Sequence, residues 1–529
     1  MKKSEQRFSV VYHITLHDSQ NIEEVARDIA VEQTVEVPYD CIPKEHFNQG
    51  LVGQVEAIEH IQGESPLYQV VISYRCDISG FSVPQLLNVL FGNISLKDNI
   101  RLVHFSIPGS LQSVFPGPRY GILGLREVLG VYGRPLACTA LKPMGLSAGE
   151  LADKADSYAR GGVDIVKDDH GIADQGFSPF RERVELCQKA VERASAHTGR
   201  RTLYFPMISG GFDQIEDQVR YAVSHGVKGI LIAPMLVGLD TVRYLSQQYG
   251  VIIMTHPALT GVYFHDRKHG MTPAVLLGTL FRLLGVDISI FPNAGGRFHF
   301  TTQECADLAW ALRESRAKWR GSLPCPAGGM QVNRIGDVVR FFGEDTVILI
   351  GGSVMQRHAD LSQGTRDFME EIRSCANEEL SKPASEANSS CEIAVSDIQT
   401  DTLGLLKCTD FRWSSREASQ YAVEDDGRFK DITRHELVGR FGENTKFDVR
   451  YFEIGPGGYS SLEKHVHEHI IIGVRGEGIL LKGGQQIVVN IHDVAYVGPL
   501  AVHQLLNRGK EPFGFFCIVD HKRDRPIVV

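Results

Sequence analysis

The chain has 529 residues, 43% hydrophobic and 22% charged, with a formal net charge of −9. That length suits two to four domains of ordinary globular composition. No basic block tracks a phosphate backbone and no apolar run approaches the roughly 18 residues that span a bilayer, so neither nucleic acid nor membrane is an expected partner.

The opening "MKKSEQRFSVVYHITLHD" turns polar without an apolar h-region and reads as mature protein. Ten cysteines at irregular spacing, with no CxxC pair, favour reduced thiols and a cytoplasmic location. Residues 1–122 mix alternating strands ("FSVVYHITL", "YQVVISYR") with the helical stretch "IEEVARDIAVEQ", which predicts a small α+β domain.

From 123 to 378 apolar runs recur: "LACTALKP", "VDIVKDD", "TLYFPMIS", "GILIAPM", "VIIMTHP", "ISIFPNAGG", "GSLPCPAGG" and "TVILIGG". Amphipathic stretches such as "AGELADKADSYARGG" and "FDQIEDQVRYAVSHG" separate them. Eight such units over about 250 residues match a (β/α)8 TIM barrel, with a doubly wound open sheet as the other arrangement. In a barrel the loops after the strands carry the chemistry, and the polar residues cluster there. Residues 379–403, rich in Ser, Glu, Ala and Asn, read as a linker. Short strands and glycine turns over 404–529 predict a small all-β barrel.

"GGVDIVKDDHG" (161–171) crowds Lys167, Asp168, Asp169 and His170 at the end of the second apolar run. Such charge is costly unless compensated. A salt-bridge network at the barrel rim is one solution. An oxygen-ligand site for Mg²⁺ is another, which a lysine joins only as a carbamate.

"GRPLACTALKPMGLSAGELADKADSYARGGVDIVKDDHG" resembles the first two barrel units of the ribulose-bisphosphate carboxylase (RuBisCO) large subunit. "VEQT" (31–34), "FGN" (91–93), "HPALTG" (256–261), "NAGGRF" (293–298), "PAGG" (326–329) and "IGG" (350–352) extend the resemblance over roughly 1–375. It implies that Lys167 is the carbamylated lysine and that Asp169 and His170 complete the Mg²⁺ shell. His170 stands where the family has glutamate and is a poorer Mg²⁺ ligand. Lys142 falls at the family's proton-handling lysine, assisted by His256. Asn93 and the glutamate of "VEQT" belong to the segments that complete a partner subunit's site, which implies a homodimer or larger.

Departures matter as much. Lys142-Pro143-Met144 lacks the second lysine of the family's Lys-Pro-Lys, which polarises CO₂. Pro257 and Ala327 replace the arginine and serine of the second phosphate site. Gly328, Gly329, Gly351 and Gly352 remain to bind one phosphate through backbone N–H groups, with Arg297 in place of the mobile-loop lysine. The resemblance therefore implies a non-carboxylating, RuBisCO-like enzyme that enolises a sugar monophosphate.

"GGYSSLEKHVHEHIII" (457–472) carries His465, His467 and His469 at period two, so one strand face would hold all three beside Glu463. His503 follows on a later strand. An HxHxH run on an exposed strand is the bland reading. The segment 404–529 resembles a metal-binding cupin, but Ile471 occupies the family's glutamate position, which leaves His469 or Glu463 to replace it. Mn²⁺, Fe²⁺, Ni²⁺ and Zn²⁺ all suit such donors. Cys517 is either a core cysteine or a catalytic thiol facing the same pocket.

Fusing an enolising barrel to a metal cupin suggests consecutive steps on one metabolite. By analogy with RuBisCO-like proteins of methylthioadenosine (methionine) salvage, the expectation is a Mg²⁺-dependent isomerase. It would convert 5-methylthioribulose 1-phosphate to 1-methylthioxylulose 5-phosphate. The cupin would then pass the methylthio group to a thiol such as glutathione. Two alternatives stand: a RuBisCO-like decarboxylase or transcarboxylase of a branched oxo-sugar-acid phosphate (3-oxo-isoapionate 4-phosphate type), and a degenerate barrel with a cupin sensor.

Overall fold

The computed structural model describes residues 6–17, 20–61, 66–115, 117–314, 318–381, 408–413, 419–420, 429–439, 447–465, 467–482, 485–520 and 527–528. The chain divides into two units, Met1–Ile393 and Ala394–Val529. Of the expected linker, a helix (Leu361–Ser381) occupies the first residues, and 382–403 lies outside the described residues. No described helix is long and apolar enough to cross a membrane.

The first unit begins with the expected α+β domain. Alternation in Arg7–Thr15 buries Phe8, Val10, Tyr12 and Ile14, and the strand pairs antiparallel with Leu67–Arg75. The helix Ile22–Glu32 starts at Asn21, whose side chain accepts the N–H groups of Glu23 and Glu24. A two-residue strand from the barrel, Gly270–Met271, joins this sheet parallel to Ile100–Phe105. One apolar core then runs continuously from the sheet into the helical layer of the barrel.

The barrel strands are β1 (Leu136–Leu141), β2 (Ile165–Asp168), β3 (Leu203–Phe205 and Met207–Ile208, split at Pro206) and β4 (Gly229–Ile232). They continue as β5 (Ile252–Thr255), β6 (Ile288–Pro292), β7 (Leu323–Ala327) and β8 (Val347–Leu349). The ladders are all parallel and run in chain order in two sheets, one from Met207–Ile208 of β3 to β7 and one of β8, β1, β2 and Leu203–Phe205 of β3, with Val347 of β8 opposite Leu136 of β1. β7 and β8 meet without a ladder, where the Thr346 hydroxyl donates to the Pro324 carbonyl at 2.9 Å. That closure rules out the open sheet. Both faces of each strand are buried, which is why the strands are nearly continuous apolar runs.

Alternate residues serve two cores. Cys138, Ile165, Leu203 and Phe205 fill the barrel, while Ala137, Val166 and Tyr204 face the helices. The same alternation sends Lys167 inward and Asp168 outward. Helix α1 (Ala148–Gly161) leads into β2, begins with a Ser147/Glu150 capping box and stops at Gly162, φ 89°.

Asp168 is not part of the pocket. It pairs with Arg183 of helix α2 (Phe180–Thr198), Nε to Oδ2 at 3.0 Å, with both side chains 0% exposed. Tyr204 donates its hydroxyl to Oδ1 at 2.8 Å, and the Met207 N–H reaches Oδ2 at 3.0 Å. Arg183 spends its remaining donors on the carbonyls of Ser178 and Ala173, both at 2.6 Å.

The second unit is a nearly closed antiparallel barrel of cupin type. Its strands are β9 (Lys430–Val438), β10 (Phe447–Tyr459), β11 (Glu463–Lys464), β12 (His469–Arg475) and β13 (Gly478–Lys482). β14 (Gln485–Val489), β15 (Val494–Val497), β16 (His503–Leu506) and β17 (Phe513–Asp520) complete it, in the order β14-β13-β16-β10-β17-β12-β15. Phe452, Ile454, Ile471, Leu480 and Phe515 form its core. The expected histidine strand is interrupted: β11 ends at Lys464 and β12 begins at His469.

Replacing Arg183 with methionine should leave the Asp168 carboxylate buried and unpaired, costing about 3–5 kcal/mol. Replacing Arg181, whose pair with Asp217 is 62%/50% exposed, should barely move stability. Urea unfolding of both variants checks this; equal midpoints would refute the structural role of Arg183.

Candidate functional site

A cavity of about 1040 Å³ is lined by residues at the C-terminal ends of the barrel strands. Lys142, Lys167, Asp169, His170 and His256 share it with Arg297 and all four glycines of the predicted cradle. Lys142 Nζ lies 2.9 Å from Asp169 Oδ1, and His170 Nδ1 lies 3.5 Å from the same oxygen. Partial burial pushes the Asp169 carboxyl up. Hydrogen bonds from His170 and Lys142, with the charges of Lys142 and Lys167, outweigh it and hold the carboxyl well below its usual range.

Lys167 is buried, and its Nζ donates to the Asp168 carbonyl at 3.1 Å. Burial lowers its pKa, which Cys138 and Asp169 offset only in part. A lysine destabilised as an ammonium ion is the nucleophilic form that CO₂ carbamylates. Only as its carbamate would Lys167 join Asp169 and His170, on the same cavity lining, as a donor set for a divalent cation.

His256 stacks flat on His170, with centroids 3.9 Å apart and planes 6° apart. Burial first, then His170 and Lys167, push His256 down to about 2, so the ring is neutral at physiological pH. Its Nδ1 accepts the Ala258 N–H at 3.2 Å, which assigns the proton to Nε2. His256 is thus built as a neutral hydrogen-bond donor.

Gly328 and Gly329, at φ +88° and +94°, occupy a conformation that L side chains rarely adopt. At Gly351 and Gly352 an added Cβ would meet nothing within 4 Å, so the backbone there faces open space. The Arg297 N–H bonds the Gly328 carbonyl at 3.0 Å, joining the loops after β6 and β7. Asn93 lies elsewhere: its Nδ2 donates to Glu32 Oε1 at 3.1 Å, and neither residue lines the cavity.

The sequence reading missed an apolar wall. Phe264, Phe298, Phe300 and Met330 line the cavity with Pro257, and Phe264 meets Phe300 edge-on at 5.5 Å. The available signal was the aromatic pair in "GGRFHF" after β6, taken with Pro257 in "HPALTG". Arg267 lines the same side, but Glu304 takes its charge.

In the cupin, His465, His469 and His503 are buried and offer ligand atoms within 4.8 Å of one another. His465 Nδ1 contacts the His467 carbonyl at 2.6 Å and His503 Nδ1 the Ala501 carbonyl at 2.8 Å. Those contacts assign Nε2 of each ring to the centre. His469 Nε2 is buried without a hydrogen-bond partner, as expected of a nitrogen meant for an ion. Burial, then His503 and His465, hold His469 down to about 2, leaving the neutral form that binds metal.

His467 does not join this trio. The chain leaves the strand after Lys464, period-two alternation lapses, and the half-buried His467 ring stacks on His465 at 3.7 Å. Glu463 stands opposite His503 across the sheet and hydrogen-bonds the Ser461 hydroxyl. Cys517 is buried between Arg450 Nη2, at 3.1 Å, and His469 Nδ1, at 3.4 Å. It approaches His469 from the side opposite Nε2.

Residues 121–296 match the catalytic domain of the ribulose bisphosphate carboxylase large chain, and residues 450–519 match the cupin domain. The chain is 39% identical to the 5-methylthioribulose-1-phosphate isomerase of Rhodospirillum rubrum, over 68% of this chain and 94% of that protein. It is 31% identical to the 2,3-diketo-5-methylthiopentyl-1-phosphate enolase of Geobacillus kaustophilus, over 64% of this chain and 86% of that one. The crystal structure of a RuBisCO-like protein from Rhodopseudomonas palustris superposes with a TM-score of 0.63 at 38% identity. That superposition covers 70% of this chain and 98% of that one.

After incubation with Zn²⁺ and desalting, His465→Ala and His503→Ala should lose a tightly held ion that His467→Ala keeps. Metal analysis checks this, and an equal loss in His467→Ala would return that ring to the ligand set.

Proposed function

Because the chain belongs to the RuBisCO large-chain family as a RuBisCO-like protein with a C-terminal cupin, we propose that it isomerises 5-methylthioribulose 1-phosphate to 1-methylthioxylulose 5-phosphate, a step of methionine salvage. The observation that carries this is the single cavity in which Lys142 and Asp169, 2.9 Å apart, stand beside buried Lys167 and the glycine pairs.

The phosphate binds the backbone N–H groups of Gly328, Gly329, Gly351 and Gly352, with Arg297 supplying positive charge. The apolar pair Phe264 and Phe300 accepts the methylthio end, and Arg267 beside it is neutralised by Glu304. A Mg²⁺ ion held by carbamylated Lys167, Asp169 and His170 would act as the Lewis acid on the substrate carbonyl and hydroxyl. Lys142 carries the proton between carbons, leaning on Asp169, and His256 Nε2–H donates to the developing enediolate oxygen.

The cupin takes the product. His465, His469 and His503 would hold a transition metal of the Mn²⁺, Fe²⁺, Ni²⁺ or Zn²⁺ type. The carbon–sulfur bond of the methylthio group breaks, an S–S bond forms to an external thiol, and the thiol proton ends on the sugar carbon. The products are 1-deoxyxylulose 5-phosphate and a methyl disulfide. Asn93 and Glu32 complete the barrel site of a second copy, making a homodimer the working unit in the cytoplasm.

Lys167→Ala should abolish isomerisation while leaving thiol-dependent release of methylthio from supplied 1-methylthioxylulose 5-phosphate; near-normal isomerase activity would overturn the lysine's role. Diluting the protein below its dimer dissociation constant should lower specific activity, read against oligomeric state by light scattering. A fully active monomer would exclude the shared site.

A further inference from the structure

We propose that Cys517 is a positioning residue of the cupin cluster: its sulfur accepts the Nδ1–H of His469 and so holds Nε2 toward His465 and His503. The inference rests on the metal-binding reading of those three rings.

Strand register brings the groups together. Cys517 of β17 lies opposite Ile471 of β12 on one side and Arg450 of β10 on the other. His469 lies opposite Val519, two residues along, so His469, Ile471, Cys517 and Val519 all turn to the buried face of the barrel. Cys517 is 3% and His469 7% exposed. Two nitrogens then converge on the sulfur, Arg450 Nη2 at 3.1 Å and His469 Nδ1 at 3.4 Å. A guanidinium only donates, so the sulfur is an acceptor in this pair. The buried Nε2 of His469 has no acceptor for a proton, which places the proton on Nδ1, directed at the sulfur, and leaves Nε2 as the ligand atom.

The other two rings receive the same support from main-chain carbonyls, His467 O and Ala501 O. His469 sits in a strand paired on both sides, to β15 and β17, where carbonyls are committed to the ladder. A side chain can serve instead, and the Cys517 sulfur is in reach at 3.4 Å.

The test uses the full chain, Zn²⁺ affinity by chelator competition, and the absorption spectrum with Co²⁺. Cys517→Ala should weaken binding about 10–100-fold, as loss of a group behind a ligating histidine does. Cys517→Ser, which keeps an acceptor and decides the matter if the alanine variant does not fold, should recover most of the affinity. The Co²⁺-loaded wild type should show no sulfur-to-metal charge-transfer band that Cys517→Ala removes. Unchanged affinity in Cys517→Ala, a serine variant no better than alanine, or such a band (which would make Cys517 a direct ligand) would each overturn the proposal. A wild-type chain that retains no ion, with or without isomerase activity, would instead defeat the cupin metal reading beneath it.

Discussion

The barrel site depends on how β2 disposes of consecutive charges at the end of a buried strand. Lys167, Asp168 and Asp169 cannot share one environment, because uncompensated charge inside a protein is too costly. The pleat separates them. Asp168 turns outward to a closed network with Arg183, Tyr204 and Met207, which ties β2 to the helix behind it and to β3. Lys167 and Asp169 turn inward to the cavity, and Lys142 reaches Asp169 from the end of β1. A chemical wall of ionisable groups thus stands on a rigid, fully satisfied structural one.

The rest of the cavity selects what that wall can act on. Glycine backbone after β7 and β8 suits one phosphate. Phe264 and Phe300 offer an apolar surface to the proposed methylthio end, and Arg267, which also lines the cavity, is paired with Glu304. His256, neutral through burial and stacked on His170, adds no charge to a crowded site. Together these features are the ones the proposed enolisation of a monophosphate requires.

Much of this was legible in the sequence, for physical reasons. Strands buried on both faces are apolar runs, so all eight barrel strands could be placed from composition and helix spacing. The motif around Lys167 marked a candidate site because such charge at the end of a buried strand is costly unless compensated. What escaped were partnerships across the fold. Nothing in linear spacing links Arg183, 15 residues on in a helix, to Asp168, yet it neutralises that carboxylate. The HxHxH pattern promised three rings on one face, but a strand break after Lys464 expels His467 and leaves His503 to complete the trio. Cys517 finds His469 48 residues away, through a register that no linear spacing encodes. The pairing of Asn93 with Glu32 likewise joins residues 61 apart.

The most direct test of the central claim is NMR of the pure protein with Mg²⁺, bicarbonate and 5-methylthioribulose 1-phosphate in D₂O, followed by ³¹P and ¹H signals. The account predicts a methylthio-pentulose 5-phosphate carrying deuterium at the carbons between which the proton moves. Substrate that neither isomerises nor exchanges would contradict it, and would turn attention to a branched sugar-acid phosphate whose carboxylate Arg297 could meet.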